Sequence, residues 1–142
     1  MHLYLFGGKA TMRSVMAVAI SICFDVAPAA AGFVNKYSQW EKMGEVYQIF
    51  YTQGIFDQST IFVDGVDFIN ANVVGLQNCS IELEFNAAQI AKQITKHYES
   101  NPQDWNLPPS AIFNDTIANG VCLKYINSAR KIYRLPPIRR KN

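Results

Sequence analysis

The chain has 142 residues, of which 49% are hydrophobic and 17% are charged, a composition that excludes disordered, collagen-like and low-complexity classes. Thirteen Lys and Arg residues against 11 Asp and Glu residues give a formal charge of +2, which does not favour a nucleic-acid-binding protein. The length does not accommodate a nucleotide-binding sheet together with a second substrate domain, so one small domain is expected.

The first 31 residues are predicted to be a secretory signal peptide. Arg13 precedes an apolar run over residues 15–24, and small residues follow that run as far as Ala31. This order is typical of an export signal cleaved after Ala31, with Met12 as the more natural start. The alternatives, a membrane anchor or a buried helix, fit less well because the run is far shorter than the ~20 residues that span a bilayer. We expect an exported protein without a membrane segment after cleavage, in the periplasm if the source is Gram-negative.

An amphipathic helix is predicted from Tyr37 to about Phe56. Apolar residues recur there at spacings of three and four, which places them on one helix face: Trp40, Met43, Tyr47, Phe50, Tyr51 and Ile55. Ser38 and Glu41 have the spacing of a capping box at its start. Gly54 is expected to end or loosen this helix.

The stretch 57–85 has no single predicted structure. It mixes β-branched residues with turn-forming Asp, Asn and Gly residues, a pattern that fits turns with short extended or helical pieces. Residues 81–85 alternate between apolar and acidic side chains, as an edge strand would. An irregular connector before the next helix fits this stretch equally well.

Two further helices are predicted after this stretch. Asn86 and Gln89 have capping-box spacing, and one apolar face continues from there to Pro102. The next helix begins at the two prolines of residues 108–109, because the first turn of a helix does not need the N–H groups that proline lacks. It runs to Cys122 or on to about 129. The fold class is therefore all-α, a small helical bundle in one domain over residues 32–130.

A disulfide between Cys79 and Cys122 is predicted. Cys23 leaves with the signal peptide, so these two are the cysteines of the exported chain. The last two predicted helices are joined by a short loop and should run antiparallel, which returns the end of the second to the start of the first. Because Cys122 and Cys79 lie at those two places, a bridge in an oxidising compartment is natural, and closing the loop contributes about 4 kcal/mol.

The residues of the exported chain give little indication of a catalytic or metal site. A Cys79 or Cys122 thiolate with His97 as base would be a competent acyl-transfer pair. A disulfide together with a partly buried helical His97 is the better interpretation, because no family motif surrounds either cysteine. A zinc site needs three or four ligands at suitable spacing, which the exported chain does not offer. We expect no catalytic residue, no metal and no cofactor.

The loop over residues 101–107 carries the candidate partner-binding residues Gln103, Asp104 and Trp105. A loop tryptophan is frequently the anchor of a protein interface. The alternative is that Trp105 folds back to cover the junction of the two adjoining helices, as indoles in monomers often do.

The charges divide the chain into an acidic body and a basic C-terminal tail. Residues 32–130 carry six basic and ten acidic side chains, whereas residues 131–142 carry five basic side chains and no acid. Arg139, Arg140 and Lys141 could dock on an anionic partner or a membrane. A loose, solvated terminus is the favoured interpretation.

The sequence resembles the Tai family, the periplasmic immunity proteins that neutralise type VI secreted peptidoglycan amidases. The resemblance covers residues 39–122 and rests on the order and spacing of a few short features: a Trp-led first helix running into Tyr51-Thr52-Gln53-Gly54-Ile55-Phe56-Asp57, Cys79, a helix with Gln89-Ile90 and Tyr98, Pro102, the helix start Pro109-Ser110-Ala111, and Cys122. Family members usually place prolines near both cysteines, where this chain has Ser80 and Val121.

The resemblance implies a compact helical protein, often a homodimer, that binds an amidase effector and occludes its active site without chemistry of its own. It does not identify which residues contact the partner. Two other interpretations stay open: a small periplasmic chaperone of the acid-stress type, or an orphan structural periplasmic protein. An enzyme with a free thiol ranks last.

Overall fold

The computed structural model describes residues 33–139, so the predicted signal peptide and the last three residues lie outside this range. The described residues form an all-α bundle with one disulfide, as predicted. Its helices follow in chain order: α1 (Tyr37–Lys42), α2 (Glu45–Ser59), α3 (Asp67–Glu82), α4 (Ala87–Ser100), a 3₁₀ turn (Pro102–Asp104), α5 (Pro109–Phe113), a π-helical segment (Asn114–Val121) and α6 (Leu123–Ile132). None of the helices in this range is long and apolar enough to cross a bilayer.

The predicted first helix is in fact two helices, because the chain turns at Gly44. This glycine has a φ of +73°, a conformation that side-chain-bearing residues rarely adopt, and it separates α1 from α2. The spacing of three and four residues that begins at Trp40 therefore does not predict which residues of α2 face the core. As a consequence, Tyr47 and Phe50, which the prediction placed on the buried face, are 68% and 70% exposed.

The ends of these two helices also differ from the prediction. The N-cap of α1 is Lys36, not Ser38. The capping box predicted for Ser38 and Glu41 is therefore wrong, and no side-chain hydrogen bond caps this helix in the described structure. Gly54 does not end α2, which continues to Ser59. The helix tolerates this glycine because the rest of α2 is anchored by packing on α4.

Helix α3 occupies most of the stretch for which no single structure was predicted. The edge strand over residues 81–85 is wrong, since α3 includes Glu82 and the Phe85 N–H then donates to Ser80 O at 3.0 Å. Valine, asparagine and glycine give this segment a weak intrinsic helix preference. Packing on α6 provides the stabilisation that local propensity does not.

Helices α3 and α6 approach each other closely through small residues. Ala71, Gly75 and Cys79 recur every four residues along α3 and are buried. A Cβ added at Gly75 would meet the Cα of Ile126 and would lie 2.7 Å from its backbone nitrogen. Cys79 is bonded to Cys122 with a Cα–Cα distance of 5.5 Å, so the predicted pairing is confirmed. The bridge joins α3 to the residue just before α6, about one helical turn from the close approach at Gly75.

Helix α4 matches its prediction. The Gln89 N–H donates to Asn86 Oδ1 and the Asn86 N–H donates to Gln89 Oε1, both at 2.9 Å, which is the reciprocal capping box. Its apolar face is buried against the core, and its other face is exposed. This strong amphipathic pattern explains why the sequence was sufficient to predict it.

The last predicted helix is one helical run with a change of hydrogen bonding in its middle. Pro109 begins α5, as expected, and the run reaches Ile132. Between these points the π-helical segment shifts the bonds by one residue, so that the Cys122 N–H donates to Ile117 O at 2.8 Å. Single-turn π segments are uncommon and occur often near functional sites.

Trp40 is the largest side chain at the centre of the core. It is fully buried, and its Nε1–H donates to Thr95 Oγ1 at 3.0 Å. The Gln48 side chain donates to Trp40 O at 2.9 Å, which ties α2 to α1. The other large side chains that are almost completely buried come mainly from α4 to α6: Ile94, Tyr98, Ile112, Phe113, Ile117 and Ile126.

The chain after α6 folds back instead of forming a loose terminus. The Ile138 N–H donates to Asn127 Oδ1 at 2.8 Å, and Asn127 Nδ2 donates to Ile138 O at 3.0 Å. Arg130 Nε–H donates to Pro136 O at 2.7 Å. The expected loose terminus is therefore wrong for the residues up to Ile138, although most of them are exposed, and Arg140 and Lys141 lie outside the described residues. The boundary placed at 131 lies within α6, which ends at Ile132.

Replacing Thr52 by valine is expected to stabilise the fold. Thr52 is fully buried on α2, and its hydroxyl finds no hydrogen-bond partner among the described residues. Valine has nearly the same shape without the buried polar atom, so the free energy of unfolding should rise by about 1 kcal/mol. Urea unfolding measures this change.

Thr95→Val is the matched control for this prediction. Thr95 Oγ1 accepts from Trp40 and donates to Ala91 O, so the same substitution there removes two hydrogen bonds. It should lower the free energy of unfolding by about 1–2 kcal/mol. Equal effects of the two substitutions would contradict the assignment of Thr52 as unpartnered.

Candidate functional site

The loop between α4 and α5 places Trp105 in a fixed position at the surface. The indole Nε1–H donates to Tyr98 O at 2.8 Å, and the Trp105 carbonyl accepts the Tyr37 N–H at 2.9 Å. The indole ring also packs on the Tyr37 ring, with 5.2 Å between centroids. Even so, Trp105 remains 46% exposed. The ring therefore covers the end of α4 and leaves one edge exposed, and its role as an interface anchor stays a prediction.

Tyr98 packs beneath this loop in the core and is hydrogen-bonded to it. Its hydroxyl donates to Leu107 O at 2.7 Å, and its ring lies 5.1 Å from that of Tyr37. Burial, with smaller contributions from Tyr51 and Asp104, raises the pKa of Tyr98 well above its ordinary value. The hydroxyl therefore stays neutral and remains a donor at physiological pH.

Asp104 faces His97 rather than solvent. His97 Nε2 lies 2.7 Å from Asp104 Oδ2, and both side chains are largely buried. The Asn101 side chain donates to His97 O at 2.8 Å and fixes the same turn. Asp104 therefore stabilises the loop, and its carboxylate is less available to a partner than the sequence suggested.

Gln103 is the third predicted contact residue, and it is exposed. Its Nε2 lies 3.3 Å from Asn101 Oδ1, a long contact that holds the side chain only weakly. Leu107, at the other end of the loop, is 42% exposed. The sequence did not single out Leu107, although its place in a loop beside Trp105 was visible. Trp105, Gln103 and Leu107 are therefore among the loop residues that a partner could contact, together with the exposed Pro102 and Asn106.

The disulfide decides the question of a thiol nucleophile. Cys79 and Cys122 are bonded to each other and almost completely buried, so neither sulfur is a thiolate. The acyl-transfer pair considered from the sequence has no nucleophile in this oxidised state. No group of three or more His, Cys, Asp or Glu side chains arranged to hold a metal ion occurs between residues 33 and 139.

A second apolar surface lies on the outer side of α2, and the sequence prediction missed it. Val46 is 62% exposed and lies beside Tyr47 and Phe50 on one helical face. Next to this face is a groove of about 520 Å³ between α2 and the start of the π-helical segment, lined in part by Phe33 and Gly54. The turn at Gly44 creates this outward face, because it rotates α2 away from the period of α1.

Comparison of the chain with protein-family models, with curated proteins and with solved structures finds no match. The resemblance to the Tai family therefore rests on the order and spacing of the residues themselves.

Proposed function

We propose that the chain is an exported, non-enzymatic protein that binds and inhibits a cell-wall amidase, in the manner of the Tai immunity proteins. The observation that carries this proposal is the fixed, half-exposed Trp105. An inhibitor needs an anchor side chain that is already ordered before the partner arrives, because ordering it on binding would reduce the affinity.

The contacts of Trp105 support such pre-ordering. Three hydrogen bonds and one ring contact hold the residue, and their partners belong to Tyr37, Tyr98 and Pro102. Tyr98 is in turn fully buried and bonded to Leu107 O. The free edge of the indole is thus presented by a loop that has little freedom to move, the arrangement expected of an interface anchor.

The disulfide and the charges support the same proposal. A buried bridge suits an oxidising compartment such as the periplasm, where type VI amidases act on the cell wall. The acidic body of residues 32–130 favours association with a basic partner, and this effect weakens as salt increases.

Coexpression with amidases tests the proposal. Each type VI amidase encoded in the same genome is directed to the periplasm of a host cell, with and without the full chain, and cell lysis is followed. The proposal expects the chain to prevent lysis by one amidase. If none of the amidases is neutralised, the proposed function is wrong.

Trp105→Ala is expected to remove this protection. Loss of a central tryptophan anchor should weaken binding of the neutralised amidase by about 30-fold or more, measured by calorimetry with the purified proteins. Phe68→Ala is the matched control, because Phe68 is 55% exposed and aromatic but lies on α3. Circular dichroism checks that both variants keep the helical content of the wild type. Equal binding by the wild type and Trp105→Ala would contradict the role of Trp105.

A further inference from the structure

The C-terminal end of the chain carries a concentrated positive charge. Residues 116–142 include seven Lys and Arg residues and no acid, whereas residues 43–91 include six acids and no Lys, Arg or His. Only one ion pair occurs between residues 33 and 139, and it joins His97 to Asp104. The bases at this end of the described chain are therefore not neutralised by carboxylates at salt-bridge distance.

Three of these bases and one apolar residue are exposed where α6 ends. Lys131 and Ile132 lie in its last turn, and Ile132 is 76% exposed. Arg134 follows two residues later and is also exposed. Arg139 is held beside α6, because the residue before it is hydrogen-bonded through its backbone to Asn127 of this helix. We call Lys131, Ile132, Arg134 and Arg139 the basic surface.

Two neighbouring bases have partners inside the chain and are not part of the basic surface. The Lys124 ammonium group lies 4.5 Å from the centre of the Tyr125 ring, and the carboxylate of Glu82 on α3 acts on it as well. Arg130 donates to a backbone carbonyl of the tail. No side-chain hydrogen bond or ion pair occupies the three bases of the basic surface within residues 33–139. Their charges are therefore available to a partner.

Arg134 occupies a backbone conformation that normally goes to glycine. Its φ is +56°, and it ends α6 as the left-handed residue of a Schellman motif. The Leu135 N–H donates to Arg130 O at 2.9 Å, and the Arg134 N–H donates to Lys131 O at 3.2 Å. The helix dipole favours cations in the last turn but does not require one at this strained position. The strain indicates that the exposed guanidinium has a use outside the fold.

An exposed isoleucine among cations favours a bilayer with anionic lipids over an acidic protein. Lipid phosphates form an extended, fluid array that pairs with Lys and Arg without fixed geometry, and each base near it strengthens binding about fivefold. The Ile132 side chain would be buried at the boundary between headgroups and acyl chains. An acidic protein would present carboxylates at fixed positions, and no hydrogen bond in the described chain orients the three bases to meet them.

We propose that the basic surface docks the protein on a bilayer rich in anionic phospholipids, with Ile132 inserted among the lipid headgroups. The acids of residues 43–91 are repelled by the same lipids, which determines the end of the molecule that faces the bilayer. This inference goes beyond the proposed function, because the basic surface shares no residue with the Trp105 loop and its docking needs no amidase.

Flotation with lipid vesicles tests this proposal. The protein used is residues 32–142, which contain the whole disulfide-bonded bundle and lack the apolar run of residues 15–24. We expect it to float with vesicles of phosphatidylcholine that contain about 30% phosphatidylglycerol, and not with phosphatidylcholine alone. Binding should fall at least about tenfold between ~0.05 M and ~0.3 M NaCl, because salt screens the attraction.

Two variants with matched controls locate the contact. Arg134→Gly removes one charge together with the backbone strain, so it should melt no lower than the wild type and bind anionic vesicles about fivefold more weakly. Lys96→Gln removes one charge from an exposed site on α4 and should bind as the wild type does. Ile132→Ser should bind about tenfold more weakly. Ile81→Ser, at a site on α3 that is 75% exposed, should leave binding unchanged.

Three results would overturn the proposal: no binding to anionic vesicles, equal binding to neutral vesicles, or equal binding by each variant and its control. A dimer that Arg134→Gly dissociates in analytical ultracentrifugation would assign the basic surface to a second copy and would also overturn it. Retention on poly-glutamate beads without vesicle binding would assign it to an acidic protein instead. Amidase inhibition is measured in solution without a bilayer, so each of the two proposals can fail alone.

Discussion

Replacing Cys79 and Cys122 together by alanine is expected to lower the free energy of unfolding by about 4 kcal/mol. The bridge closes a loop with a sequence separation of 43 residues. In the chain-entropy model this cross-link lowers the conformational entropy of the unfolded chain and so stabilises the folded state. It also joins α3 to the start of α6, the helix pair in closest contact. The melting temperature should fall by on the order of 20 °C for a domain of this size.

The oxidised and reduced wild-type proteins provide the control for this prediction. Unfolding in urea with a reductant removes the bond but keeps both sulfur atoms, so the difference between reduced and oxidised protein isolates the cross-link. The alanine variant should be somewhat less stable than the reduced protein, because both cysteines are buried and their sulfurs fill space. An alanine variant as stable as the oxidised wild type would refute the stabilising role of the bridge.

Gly75→Ala is expected to destabilise the protein by about 3 kcal/mol. The added methyl would collide with backbone atoms of Ile126, which cannot rotate away as the end of a side chain could. Either α3 and α6 move apart or the backbone is strained, and overpacking of this kind costs up to about 3 kcal/mol. The intrinsic preference of helices for alanine offsets only a fraction of this cost.

Gly54→Ala is the matched control, because it makes the same substitution in a neighbouring helix with open space around the new methyl. It should stabilise the protein by about 0.5–1 kcal/mol. Thermal unfolding of the two variants under identical conditions should give shifts of opposite sign. A Gly75→Ala variant as stable as the wild type would mean that α3 and α6 do not approach as closely as described.

The parts of the fold that the sequence predicted are those determined by local signals. Helix α4 has a reciprocal capping box and a clear apolar face, both readable without knowledge of the rest of the chain. The start of α5 at Pro109 follows from the fixed backbone of proline. The Cys79–Cys122 pairing was also correct, although Cys79 lies on α3 and not in a connector before α4.

The parts that the sequence did not predict depend on contacts between distant residues. Helix α3 has weak helix formers, and its small residues show their purpose only when α6 is packed against them. The positive φ of Gly44 changed which side of α2 faces the core, so Tyr47 and Phe50 were assigned to the wrong side. The shifted bonds of the π-helical segment follow no sequence rule used for ordinary helices.

The candidate site follows the same division. Trp105 was identified from its loop position alone, and its exposure agrees with that choice. The inward orientation of Asp104 could not be predicted, because it depends on how the loop folds back onto His97 of α4. The groove beside α2 could not be predicted either, because its lining combines residues as far apart in the sequence as Tyr51 and Asn114.

Titration of purified amidases with the chain shows whether the proposed inhibition by binding takes place. The purified, oxidised chain is added to each purified type VI amidase of the same genome, and hydrolysis of a peptidoglycan stem peptide is followed by chromatography. We expect one amidase to lose its activity at about one equivalent of chain, and Trp105→Ala not to inhibit at that ratio. Full activity of every amidase in an excess of the wild-type chain would show that the chain is not an amidase inhibitor.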